Sequence, residues 1–201
     1  MSAIESYLLD MLPYMVLALP LVVIGRVILV RWRKYRGVKS SFLHEVGFII
    51  LCLYLVGLAS QTIFSELIIE DGKLTFDFRD VEEDRINLTP LHKIAETSYF
   101  IENGNNNYLL IEVFGNIGIF IPMGFILPLL WKRFEKLIPA VGTCLGLSIL
   151  IEVTQLFLPR ATDIDDVIMN TLGGLIGFIL YKIGKKMASN SFSSYRKQEA
   201  R

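Results

Sequence analysis

Five stretches of this chain are each long and apolar enough to cross a lipid bilayer. A spanning helix needs about 20 mostly apolar residues, and its backbone must satisfy its own hydrogen bonds because lipid offers none. With 201 residues, a hydrophobic fraction of 53% and a mean hydropathy of +0.50, the chain is too apolar for an ordinary soluble domain. We therefore predict an all-α integral membrane bundle whose five transmembrane helices cover Tyr7–Val30, Leu43–Phe64, Leu109–Trp131, Leu137–Leu158 and Val167–Ile183.

The charges between the predicted spans alternate in sign. Five basic residues and no acidic ones follow the first span, and the C-terminal tail from Lys182 has six basic residues against Glu199. The segment 65–107 instead contains ten acidic and four basic residues. Because basic connections stay on the cytoplasmic side, we predict a multi-pass protein of the cell membrane that is N-out and C-in.

The same pattern divides the chain into three parts. Residues 1–42 form the first transmembrane helix and a basic cytoplasmic loop, residues 43–186 a membrane domain that includes the external acidic segment 65–107, and residues 187–201 a basic cytoplasmic tail. Within the acidic segment, the alternation over Lys73–Phe78 predicts a short strand, and Thr89-Pro90 ends any helix.

Polar side chains lie inside the third and fourth apolar spans, where they are costly unless they are paired, protonated or functional. Glu112 and Asn116 lie one turn apart on the third span, and Glu152 and Gln155 lie one turn apart on the fourth. A carboxylate in this setting must be protonated, paired or hydrated, so the two glutamates favour a functional site.

A third polar group opens the fifth span. Asp163, Asp166 and Asn170 recur at spacings of three and four and so share one helical face. With the predicted orientation, all three polar groups lie within about 10 Å of the outer boundary of the membrane. We predict that they form one polar pocket that opens outward, with the candidate ligand-binding residues Glu112, Asn116, Glu152, Gln155, Arg160, Asp163, Asp166 and Asn170.

Several of these residues also have a purely structural explanation. Thr162 or Asp163 could cap the fifth helix, and Asp165 could do no more than interact with the helix dipole. The amide side chains could hydrogen-bond between helices. Arg160 is either the local counter-ion of the carboxylates or an anchor to lipid headgroups.

Small residues and one proline predict how the helices pack. Gly142 and Gly146 on the fourth helix, with Gly173 and Gly177 on the fifth, form two G-x-x-x-G patterns and predict that these two helices approach each other closely. Pro122 removes one intrahelical donor and predicts a kink in the third helix.

No cofactor and no resident metal are expected. Cys52 and Cys144 each lie in an apolar span, which favours reduced core thiols over a disulfide or metal site. His44 and His92 have no Cys or His at ligand spacing, so the sequence does not predict a zinc site.

Four motifs resemble the VanZ-like family of bacterial membrane proteins and occur in the family's order, and the resemblance spans about residues 87–181. They are RINLTP at 85–90, NIGIFIPMG at 116–124, EVTQLF at 152–157 and ATDIDDVIMNTLGG at 161–174. The resemblance implies an envelope protein linked to resistance to glycopeptide antibiotics such as teicoplanin, in a family without an established catalytic reaction. The motif residues that carry over are Asn87, Pro90, Asn116, Pro122, Gly124, Glu152, Gln155, Asp163, Asp166, Asn170 and Gly174.

The sequence leaves the class of function open. A binding protein would take a lipid-linked cell-wall intermediate, a lipid headgroup or a glycopeptide antibiotic at the polar site and so lower drug susceptibility. An enzyme on such a lipid would use Glu152 or Glu112 as general acid or base, with Asp163 and Asp166 orienting the substrate or a divalent cation. The lack of Ser-His and Cys-His pairs and of HExxH, GxSxG or P-loop motifs weighs against catalysis.

A transporter fits less well, because the five helices show no inverted repeat. Membrane lipids or a lipid-linked precursor are the expected partners, and a nucleic acid partner is not expected. The formation of a homo-oligomer stays open.

Overall fold

Five long helices make up most of the computed structural model, which describes residues 3–37, 41–63, 67–70, 73–76, 85–96 and 108–187. All five are long and apolar enough to cross a membrane, so the predicted all-α membrane bundle is confirmed at that level, while the N-out, C-in orientation stays a prediction. The helices are α1 Ala3–Tyr35, α2 Phe42–Thr62, α3 Tyr108–Leu130, α4 Leu137–Gln155 and α5 Ile164–Met187.

The helix ends differ from the predicted spans in both directions. Helices α1 and α5 extend beyond their apolar stretches, because a helix continues into polar flanks until a cap or breaker ends it. Helix α4 ends at Gln155, and the chain then tightens into turns in which the Leu158 N–H donates to the Gln155 carbonyl at 3.0 Å. Helix α3 runs through Pro122 without interruption, and the predicted kink stays a prediction.

Within the described residues, two pairs of short strands lie outside the helices. Strand β1, Leu67–Glu70, pairs antiparallel with β2, Lys73–Phe76, which confirms the predicted strand over its first four residues; residues 77 and 78 lie outside the described part of the chain. Strand β3, Ile86–Asn87, pairs in parallel with β4, Thr162–Asp163. The second pair places residues 85–96 beside the turn between α4 and α5.

Helices α3 and α5 approach each other through glycines. A Cβ atom on Gly173 or Gly177 would lie 2.0 or 2.1 Å from a backbone carbonyl oxygen of α3. Likewise, a Cβ on Gly124 would lie 2.0 Å from the Gly174 carbonyl oxygen. These distances leave no room for a side chain, so the two backbones are in direct contact.

The predicted close approach through Gly142 and Gly146 is wrong. Both residues are exposed, and nothing lies within 4 Å of a Cβ built on either one. Helices α4 and α5 are neighbours as predicted, but they meet where the Cβ and Sγ of Cys144 would lie 2.6 Å from a Cβ on Gly174. The G-x-x-x-G spacing identifies a small helix face without identifying which helix packs on it.

The apolar core lies among α2, α3, α4 and α5. The hydroxyl of Tyr54 on α2 donates to the Ile119 carbonyl of α3 at 2.6 Å. Helix α1 packs on α2, where Met11 covers Gly57. Buried members of the core are Leu51, Tyr54, Leu58, Phe120, Met123, Leu127, Leu130, Phe134, Ala140, Cys144, Ile151 and Phe178.

The end of the bundle where α3 stops and α4 begins carries its own ion pair. A short 3₁₀ helix, Lys132–Glu135, connects the two helices. Its Glu135 accepts hydrogen bonds from the Lys185 ammonium at 2.9 Å and from the Tyr181 hydroxyl at 3.1 Å, both on α5. The basic tail after Met187 lies outside the described residues.

Candidate functional site

The candidate residues gather at the other end of the bundle, where α3 begins, α4 ends and α5 begins. We call this region the polar end and define it as residues 85–96, 112–116 and 152–170. The segment 85–96, which belongs to no spanning helix, lies against the turn between α4 and α5. Four elements thus contribute polar side chains to one place.

The polar side chains of the polar end form a network of ion pairs and hydrogen bonds around Lys93, a residue that the sequence prediction did not include. Its Nζ is 2.7 Å from Asp166 Oδ1 and 2.8 Å from Glu112 Oε1. Asp163 Oδ2 is also near, at 3.6 Å, and Asn116 Nδ2 donates to the same Asp166 oxygen at 2.7 Å. One ammonium group therefore joins carboxylates from α3, β4 and α5.

The charged form of Lys93 is favoured at this position. Burial of its side chain, which is 14% exposed, opposes the charge and lowers the pKa. The attraction of Asp166, the hydrogen bonds to Asp166 and Glu112 and the attraction of Glu112 together outweigh burial, so the pKa is raised above the ordinary lysine value. Lys93 is therefore a permanent cation at physiological pH.

Asp165 attaches the 85–96 segment to α5. Its fully buried carboxylate accepts backbone hydrogen bonds from the N–H of Leu91 and, at 2.8 Å, from the N–H of Lys93. Leu91 has a φ of 64°, a left-handed conformation that costs an L-residue about 1–2 kcal/mol. Asp165 therefore has a specific role in holding this strained turn, beyond the interaction with the helix dipole considered from the sequence.

Asp163 caps α5 and connects to both neighbouring elements. Its Oδ1 accepts the Asp165 N–H at 2.9 Å, which is the geometry of a helix N-cap. Its Oδ2 accepts the Asn87 amide at 3.2 Å, and its own N–H donates to Glu152 Oε2 on α4 at 3.0 Å. The buried Glu152 carboxylate therefore holds the start of α5 against the end of α4.

Gln155 and Arg160 form hydrogen bonds to the end of helix α2. Gln155 donates to the Thr62 carbonyl at 2.9 Å, and Arg160 donates to the Gln61 carbonyl at 3.1 Å. Both bonds satisfy carbonyl groups at the end of α2, which otherwise lack helical partners. These two residues attach α2 to the polar end.

Asn170 lies one turn further along α5 and contacts α4. Its amide donates to the hydroxyl of Ser148 at 2.9 Å, and both residues are buried. Arg85 forms a further connection by donating to the carbonyls of Leu156 at 3.1 Å and Leu158 at 2.7 Å beyond the end of α4. The 85–96 segment is thus held at Arg85 and again at Leu91 and Lys93.

The structure joins five of the eight candidate residues into one continuous network through direct hydrogen bonds and Lys93. These are Glu112, Asn116, Glu152, Asp163 and Asp166. Gln155 and Arg160 donate to carbonyl groups of α2, and Asn170 donates to Ser148. That any of the eight binds a ligand stays a prediction.

Sequence reasoning missed Lys93, Arg85 and Ser148. Arg85 and Lys93 are two of only four basic residues in the acidic segment 65–107; Arg85 opens the RINLTP motif, and Lys93 follows it by three residues. Isolated bases beside a motif rich in turn residues were the available signal. Ser148 carried no such signal, because a serine in an apolar helix commonly bonds to its own backbone.

Replacing Asp165 with asparagine will loosen the 85–96 segment at Leu91 and Lys93, the two residues whose N–H groups it accepts. An asparagine has one acceptor oxygen, so it can accept only one of the two N–H groups and places its own NH₂ group against the other. The lost hydrogen bond to a charged acceptor contributes about 1.5–3 kcal/mol. We expect the amide protons of Leu91 and Lys93 to exchange with solvent at least about tenfold faster, measured by hydrogen–deuterium exchange. The control is Glu96→Gln, an exposed position on the same segment; unchanged exchange in Asp165→Asn would contradict the anchoring role.

These features define a multi-span membrane protein in which an ion-paired polar network fixes a non-spanning segment to the ends of the helices. The VanZ/LLP1 family model matches residues 46–185. The chain is also 35% identical over 141 residues to Protein VanZ of Enterococcus faecium, a match that covers 68% of this chain and 74% of that protein. The chain therefore belongs to the VanZ/LLP1 family, which confirms the resemblance seen in its motifs. No solved structure was found that matches the chain.

Proposed function

We propose that this protein lowers the susceptibility of a bacterium to glycopeptide antibiotics such as teicoplanin by binding an amphiphilic molecule at its polar end. The bound molecule is a lipid-linked cell-wall intermediate, a lipid headgroup or the antibiotic itself. Membership of the VanZ/LLP1 family supports the link to resistance. The observation that carries the proposal is the network in which Lys93 joins Glu112 and Asp166 at one end of a membrane bundle.

The network offers both charge signs to a ligand. Lys93 supplies an ammonium, which suits a phosphate group of a lipid-linked intermediate; because its side chain is 14% exposed and paired with Glu112 and Asp166, a phosphate that binds it replaces one of these carboxylate contacts. Glu112, with a side chain that is 34% exposed, supplies a carboxylate that suits an amino or hydroxyl group. Glu152, Asp163 and Asp165 are buried and serve as the frame that holds these two groups in place.

The charge pattern supports an outward orientation of the polar end in the cell membrane. The polar end contains part of the acidic segment 65–107, whereas the connection 132–136 at the opposite end is basic. Basic connections stay on the cytoplasmic side, so the polar end faces the side on which glycopeptides act and cell-wall intermediates are used.

Lipid retention by purified protein tests the binding proposal. We expect the wild type to retain an envelope lipid that Glu112→Gln loses at least about tenfold, because the amide is isosteric but lacks the charge. The measurement is mass spectrometry of co-purified lipids. The matched control is Glu135→Gln, which removes a carboxylate of an ion pair at the opposite end.

Two outcomes of this experiment separate the candidate functions, and a measurement of drug tolerance in cells complements them. Equal retention of every lipid by wild type and Glu112→Gln would refute the binding proposal. Conversion of a retained lipid by the wild type alone would instead establish the enzyme, with Glu112 as the more accessible of the two glutamates. A matching loss of teicoplanin tolerance in cells that express Glu112→Gln would tie binding to the resistance phenotype.

A labelling experiment tests the orientation by itself. In a background with Cys52→Ala and Cys144→Ala, a membrane-impermeant maleimide should label Glu96→Cys in intact cells and Lys186→Cys only after permeabilisation. Both positions are exposed, and they lie at opposite ends of the bundle. The reverse labelling pattern would overturn the outward placement.

A further inference from the structure

In the 85–96 segment, three polar side chains face the protein and four apolar side chains are exposed. The Lys93 side chain lies inside the polar end, and Arg85 and Asn87 are half-buried there. The apolar side chains instead lie outside. Exposed fractions are 53% for Ile86, 70% for Leu88, 52% for Leu91 and 46% for Ile94.

This arrangement is unfavourable for a segment surrounded by water. Removing a leucine or isoleucine side chain from water is favourable, and four such side chains lie here within nine residues of the chain. Single exposed apolar residues need no explanation, but grouped ones identify a surface that contacts a partner or a membrane. Leu91 also has a left-handed backbone conformation, which glycine adopts more readily than leucine. A leucine at this position therefore adds strain as well as exposed apolar surface.

The position of the segment indicates which apolar phase it meets. Strand β3 pairs with Thr162 and Asp163, and the N–H groups of Leu91 and Lys93 bond to Asp165 in the first turn of α5. The segment therefore lies level with the ends of α4 and α5, where spanning helices meet the headgroup region. Other exposed apolar side chains at the same end are Phe157, just after α4, and Ile168 on α5.

We propose that the 85–96 segment is an interfacial membrane-binding element. Leu88, Leu91 and Ile94 insert into the lipid at the boundary between headgroups and acyl chains, in the same bilayer that the five helices cross. Lys93 faces the opposite way and anchors the segment to the protein through Glu112 and Asp166. The segment then forms one wall of the polar end at the depth where a lipid headgroup lies.

Depth-dependent quenching tests this placement. Single cysteines at Leu88, Leu91 and Ile94, in the background with Cys52→Ala and Cys144→Ala, would each carry an environment-sensitive fluorophore in nanodiscs of phosphatidylethanolamine and phosphatidylglycerol. An interfacial element is buried about 5–10 Å into the headgroup region, so a nitroxide on carbon 5 of the lipid chains should remove at least about half of the emission at these positions. Iodide in the water should have little effect there.

Glu96→Cys is the matched control on the same segment, because its side chain is about as exposed as that of Ile94. Its label should respond to iodide and not to the lipid nitroxide. Equal iodide quenching at Leu88, Ile94 and Glu96 would overturn the proposal. Leu88 and Ile94 suffice if Leu91→Cys does not fold. The readout is depth and not ligand retention, so its failure would leave the proposed function untouched.

Discussion

Gly173→Ala should lower the melting temperature of the purified protein by at least about 6 °C, whereas Gly142→Ala should leave it unchanged or raise it. A Cβ at Gly173 would lie 2.0 Å from the Ile117 carbonyl oxygen, so α3 and α5 would have to move apart. Overpacking of this kind costs about 3 kcal/mol, and each kcal/mol shifts the melting temperature by about 2–4 °C for a chain of this size.

The control follows from the same geometry. Gly142 and Gly146 belong to an identical G-x-x-x-G spacing, but nothing lies within 4 Å of a Cβ on either one. At an exposed helical position, alanine is favoured over glycine by about 0.5–1 kcal/mol. Thermal unfolding in one detergent compares the two variants directly. If Gly173→Ala left the melting temperature as unchanged as Gly142→Ala does, the close pairing of α3 with α5 would be wrong.

Lys93→Met should destabilise the folded protein by about 3 kcal/mol, because it removes the cation from three carboxylates and leaves them uncompensated. Methionine keeps most of the length and apolar volume of the side chain. The share that comes from Glu112 is smaller, since that carboxylate is the most exposed of the three and is screened by solvent. Lys132→Met, at an exposed position near the opposite end, serves as the control.

A second substitution distinguishes lost charge pairing from lost packing. Asp166→Asn keeps an acceptor oxygen for Asn116 while it removes one negative charge. In a double-mutant cycle, we expect Lys93→Met and Asp166→Asn together to cost at least about 1 kcal/mol less than the sum of the two single variants. Strict additivity, measured by denaturant or thermal unfolding, would show that the ion pair contributes no stability.

The raised pKa of Lys93 also sets the pH range of this contribution. A lysine whose folded pKa exceeds its unfolded value stabilises the fold fully below the unfolded pKa, about 10.4, and the contribution is lost as the pH rises through the folded pKa. We therefore compare the free energies of unfolding of wild type and Lys93→Met at several pH values. The part of their difference that comes from titration of Lys93 should be constant from neutral pH to about pH 10 and should shrink above it.

The polar end shows where sequence reasoning succeeded and where it did not. Apolar length and a rise of about 1.5 Å per residue placed Glu112, Asn116, Glu152 and Asp166 near one end of their helices, and the structure joins them there. Those quantities are local. The cation that links them, Lys93, lies outside the apolar spans, so apolar length and helical rise did not place it; its signal in the sequence was its position beside the RINLTP motif in an otherwise acidic segment.

The sequence by itself determined five apolar helices, their approximate ends and one polar face on each of α3, α4 and α5, because these follow from hydrophobic length and the helical repeat. Only the tertiary structure decided the partners of those faces. It paired Gly173 and Gly177 with α3, directed Gln155 and Arg160 to the end of α2, and made Asp165 the anchor of the 85–96 segment. The rotation of a helix about its axis and the docking of a distant segment depend on the packing of all elements together, and no single stretch of sequence contains that information.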